Sequence, residues 1–173
     1  MSVIALDATS NLLNIAEISA AFAGFAALVS VLRQRGTRAD ALHDILRLRI
    51  VISTSMVVVV ASLIPVGLIS FHWSERRVLG FSSGTLFLSN YGVLFSFIKS
   101  YKPVHVMFPP DKFDVGVVSM LELMDQVALV LIIFNFWPGL NYPLYLAALI
   151  FNNCQAAFVF VRFVASEFSA KEI

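Results

Sequence analysis

The run VGVVSMLELMDQVALVLIIFNF, residues 115 to 136, sets solvent and fold together. As a helix rising about 1.5 Å per residue it is long enough to cross the roughly 30 Å hydrocarbon core of a bilayer. Yet Glu122 and Asp125 lie near its middle, and a carboxylate at that depth is costly unless it is paired, protonated or facing water. The run is therefore read as a membrane span and as the first place to look for function.

Four other apolar stretches flank it, at about 11–32, 50–71, 78–98 and 143–165. The chain is 59% hydrophobic and only 13% charged, whereas about a quarter of a soluble domain's residues are charged. These features predict an all-α integral membrane protein with five transmembrane helices, forming one domain over residues 1–173. The third stretch is rich in small and polar residues, so a four-span arrangement with a re-entrant or interfacial third segment is the alternative. The N-terminus lacks the basic segment of a cleavable signal, and 11–32 is expected to stay as a span.

Loop charges orient the spans, because short cytoplasmic loops carry an excess of Lys and Arg. Arg33, Arg35, Arg38, Arg47 and Arg49 fall in the first loop, Lys99, Lys102 and Lys112 in the third, and Arg162 and Lys171 at the C-terminal end. Arg76 and Arg77 in the second loop dissent, with Glu75 beside them. The expectation is a cell-membrane protein, in a bacterial inner membrane, with its N-terminus outside and its C-terminus cytoplasmic. Thr37 and Asp40 have the form of a capping box, which starts the second helix near Arg38 and extends it into the cytoplasm. Pro65 is expected to bend it. Asp111 or Asp114 can cap the fourth helix, and Asn141 with Pro143 opens the fifth.

Counting inward from the cytoplasmic ends places Glu122, Asp125 and Gln155 in one layer, with Asn152 and Asn153 slightly higher, Asn90 near Glu122, and Glu17 further toward the outside. Gln126 adjoins the two carboxylates on their helix face. Asn152, Gln155 and Arg162 share a stripe on the fifth helix, and Arg162 is within reach of Glu122, which predicts a structural ion pair. Ala16, Ala20 and Gly24, at four-residue spacing with Ser19, Ala23 and Ala27 beside them, predict close helix packing by the first span within the subunit, with a dimer face as the alternative. Cys154 is expected to be a small packing residue.

No metal site is predicted, because His43, His72 and His105 fall in different loops. There is no HExxH, phosphate-binding loop, GxSxG or CxxC, so neither an enzyme nor a cofactor is expected. The small net charge of +1 gives nucleic-acid binding no support. The partners expected are the lipid bilayer and further copies of the chain in a homo-oligomer. Glu122, Asp125 and the amides around them would line a cation or proton pathway, with rings of Glu122 or Asp125 at a symmetry axis. The alternative is a non-conducting membrane anchor or assembly subunit, or a membrane-acting effector. It would bind a cytoplasmic protein partner through the basic loop and protruding helix.

Overall fold

The computed structural model describes residues 3–32, 38–103, 109 and 111–169. Five helices follow one another: α1 Val3–Leu32, α2 Arg38–Ile69, α3 Glu75–Tyr101, α4 Lys112–Ile133 and α5 Asn141–Ser169, with a 3-10 turn, Pro138–Leu140, before the last. Each is long and apolar enough to cross a bilayer. The 27-residue α3 stands as a full helix beside the others, which removes the reason for a re-entrant third segment. With 32 residues, α2 is about 48 Å long and outruns a bilayer core. Thr37, the expected cap, lies outside the described residues, as does His105.

Local chemistry explains where α4 begins and ends. Asp111 is its N-cap, and the carboxylate accepts the Phe113 amide at 3.1 Å. At the other end Asn135 adopts a left-handed φ of 55°. Its amide donates to Ile132 O at 2.9 Å, and the Phe136 amide donates to Leu131 O at 3.1 Å. This is the Schellman arrangement, with asparagine where glycine is commonest. The Asn135 Oδ1 then accepts from Asn141 Nδ2 at 2.7 Å, fastening the turn to the start of α5.

Helices α1 and α5 run parallel in a fixed register. Tyr142 Oη donates to Ala8 O at 3.1 Å, and Ser19 Oγ lies 2.8 Å from Asn153 Oδ1; both pairs are separated by 134 residues. The start of α1 therefore sits beside the start of α5, and the chain leaves the bundle at the opposite end. Toward α2 and α5, α1 buries Leu12, Ala16, Ser19, Ala23 and Ala26, alternating four- and three-residue steps that keep one seam facing its neighbours. The expected packing series is corrected here: Ala16 is on this seam, but Ala20 and Gly24 point outward and are exposed. Each four-residue step turns about 40° around the helix, and because Ala16 already stands at the edge of the buried seam, that drift carries Ala20 and Gly24 outward.

Helix α2 carries Pro65, which has no N–H to give the carbonyl of Ala61 four residues earlier. Tyr145 of α5 supplies the missing donor, its hydroxyl bonding to Ala61 O at 2.7 Å. An unmet carbonyl would otherwise be sealed among apolar side chains, because Ala61 is 2% exposed and Tyr145 fully buried.

Two apolar cores result. One packs Leu12, Val58, Leu86, Leu129, Tyr145 and Leu149 toward the α5 N-terminal half. The other packs Ala26, Leu48, Val51, Ala156 and Phe163 toward the basic end.

Candidate functional site

Between the two cores every helix contributes buried polar residues: Ser19 from α1, Thr54 and Ser55 from α2, Asn90 from α3, Asp125 from α4 and Asn152 from α5. Asp125 is the one carboxylate among them and is 1% exposed. Asn90 Nδ2 donates to its Oδ2 at 2.7 Å, and Gln126 Nε2 lies 3.3 Å from the same oxygen. Gln126 also donates to Glu122 Oε1 at 2.8 Å, so a single amide ties the two carboxylates together. Asn152 faces the same carboxyl group from α5 while donating to Ala148 O at 3.2 Å.

Two oxygens in this cluster have no protein hydrogen-bond partner: Asp125 Oδ1 and Gln126 Oε1. The buried hydroxyls of Ser55, Ser62, Ser82 and Ser83 share that condition. Buried polar groups are seldom left so. Ser55 lies at the level of Asp125; Ser82 lies beside the Tyr145 hydroxyl, deeper in the first core. Among the described residues no group of three His, Cys, Asp or Glu side chains converges as a metal site.

A cavity of about 270 Å³ approaches the cluster from the basic end. Arg47, Asp111, Asp114 and Arg162 line it together with apolar walls from Leu94, Phe97 and Phe158, and it reaches Ser119, one turn before Glu122. Arg162 stands at its rim between two acids, Nη2 donating to Asp111 Oδ2 at 2.9 Å and Nε lying 2.7 Å from Asp114 Oδ1. On the far side of Asp125 lie Leu86, Leu129 and Leu149, all fully buried. The cavity thus lies on one side of the cluster and packed apolar side chains on the other.

The sequence-predicted residues distribute unevenly around this centre. Asp125, Glu122, Gln126, Asn90 and Asn152 come together, with Asn90 bonded to Asp125 and not level with Glu122. Asn153 turns instead to Ser19 on α1. Gln155 is half-buried, and none of the hydrogen bonds among the described residues joins it to Asp125. Glu17 does not enter the layer at all: it faces outward from α1. The expected pair between Glu122 and Arg162 is not formed, because Arg162 finds Asp111 and Asp114 at its own level while Glu122 lies two to three turns further along α4. Asp125 also points into its own bundle, so it cannot supply a ring at an axis between subunits. Cys154, taken for a packing residue, is exposed.

Ser82 and Ser83 belong to the small and polar series of the third stretch and are buried against neighbouring helices, while Ser55, Ser62 and Tyr145 escape a reading of the sequence. Serines inside apolar runs usually bond back to their own helix, as Thr85 does here to Phe81 O. For Tyr145 the signal is Pro65, which announces an unmet carbonyl without naming its donor. No protein-family model matches the chain, and neither a curated protein nor a solved structure matches it.

Proposed function

We propose that the chain is a multi-pass membrane protein that carries protons or small cations across the bilayer through the interior of each subunit, with Asp125 as the ion's resting place. The observation that carries this reading is the surroundings of Asp125. Its carboxyl group is fully buried, is ringed by the amides of Asn90, Gln126 and Asn152, and has no basic side chain beside it. In a low-dielectric bundle that arrangement is balanced by a bound proton or cation. The unpartnered oxygens of Asp125 and Gln126 are the kind of ligands that replace an ion's hydration shell, and the serine hydroxyls beyond them can pass a proton or hold water.

In this reading the basic end faces the cytoplasm of a bacterial cell, as the loop charges require, and the N-terminus is outside. Ions enter through the cavity under Arg162, reach Glu122 and Asp125, and are held there by the leucine seal. Transport then needs that seal to part, so the described arrangement is the inward-facing one.

The test is ion flux through purified protein in vesicles, comparing wild type with Asp125→Asn. Asparagine keeps the shape and much of the hydrogen bonding, so the variant should fold and lose most of the flux. Equal nonzero flux would remove Asp125 from the pathway. No flux from wild type across a range of voltage and pH would leave the non-conducting anchor or assembly subunit, with the long α2 as its docking element.

A further inference from the structure

The outward side of α1 exposes Leu13, Ile18, Phe25 and Leu28, which suit acyl chains as do Met120, Leu123 and Val127 on α4 and Leu88, Phe95 and Ile98 on α3. Between them runs a line of Asn14, Glu17, Ala21 and Gly24, all exposed and stepping by three, four and three residues, and it carries a carboxylate and an amide among the acyl-facing side chains. None of the hydrogen bonds among the described residues uses the side chain of Asn14 or Glu17, and a Cβ built on Gly24 would meet nothing within 4 Å. None of the described residues covers this line.

Depth makes the exposure expensive. The register between α1 and α5 sets Glu17 level with Phe151, the middle of the apolar span Pro138–Ala165. Glu17 lies ten residues, about 15 Å, from Asp7 at the start of the apolar stretch of α1, and a carboxylate facing acyl chains is costly unless a partner meets it.

We infer that α1 is the contact between two copies of this chain, paired about a two-fold axis along the membrane normal, with Asn14 of each copy donating to Glu17 of the other. Two copies inserted with the same orientation bring their α1 helices together in parallel, so the same residues meet at the same depth. Asn14 and Glu17 are one turn apart, an amide donor and a carboxyl acceptor, and a two-fold axis makes the pair satisfy itself twice. No cation from another protein is required. Ala21 and Gly24, a turn further on, remove the side chains that would hold the backbones apart. The inference rests on the membrane placement and is independent of any ion path through Asp125.

The experiment is cross-linking in native membranes, in a Cys154→Ser background because Cys154 is exposed. Ala21→Cys should cross-link to a dimer of the chain, while Leu123→Cys on the lipid face of α4 should remain monomeric. Glu17→Leu, harmless to the fold of a lipid-facing position, should weaken dimerisation in vesicles about thirtyfold, corresponding to two lost interhelical hydrogen bonds. Glu17→Gln, which still accepts from Asn14, should keep the dimer. A monomeric Ala21→Cys, an undiminished dimer in Glu17→Leu, or cross-links only to a different protein would overturn the inference. Carbonate-resistant residence in the membrane, measured on the same samples, shows whether the membrane placement stands when the dimer does not.

Discussion

At the scale of single residues, Arg162 stands at the mouth of the cavity that the proposed reading takes as the entrance. Its guanidinium is 43% exposed, and its partners Asp111 and Asp114 are 52% and 22% exposed, so the ion pairs contribute roughly 0–1 kcal/mol to stability. Its larger effect is on the charge of the cavity mouth. Arg162→Gln leaves two carboxylates there, and cation entry should rise while the thermal midpoint hardly moves; a fall in flux at unchanged stability would place the entrance elsewhere. Tyr145 acts on the fold. Tyr145→Phe removes the donor to Ala61 and should cost about 1 kcal/mol, a cost that shrinks when Pro65→Ala restores the helix's own N–H. Additive effects in that double-mutant cycle would show that the hydroxyl does not serve the proline gap. Asp125 was legible from sequence because a carboxylate inside an apolar run has no inexpensive explanation. The destination of Arg162 was not, since depth counted from approximate span ends ignores that Asp111 and Asp114 begin α4 at the arginine's own level.

At the scale of the element, helix ends were more legible than helix faces. Asp111 as a cap and Asn141 with Pro143 as the start of α5 follow from local chemistry, and the structure places both as expected. The rotation of α1 follows from what it packs against, and two small-residue series on one helix, Ala16–Ala20–Gly24 and Ala16–Ser19–Ala23–Ala26, cannot be ranked without the neighbours. Asn135 tests the end of α4. Asn135→Gly should be tolerated, since glycine takes the left-handed φ freely, while Asn135→Val should cost roughly 1–2 kcal/mol in unfolding measurements. A neutral valine would mean that the turn can rearrange without loss.

At the scale of the whole molecule, five helices of alternating direction put the start of α1 and the end of α5 at opposite ends of the bundle. A reporter fused after Ile173 should be active in the cytoplasm and one fused before Met1 outside the cell, and amine reagents that cannot cross membranes should spare Lys99 and Lys112 in intact cells. Both reporters on one side would rule out the arrangement. The shared register of α1 and α5 has a mechanical corollary. In the proposed reading, two hydrogen bonds with one common offset, at Ala8 and at Ser19, would make these helices a stator, because sliding either one breaks both bonds at once. Slack lies on the other flank, where cavities of about 340, 270 and 220 Å³ all border α3. Spin labels on α1 and α5 should therefore keep their separation when the pH or cation changes, and a label on α3 should report whatever stroke parts the seal.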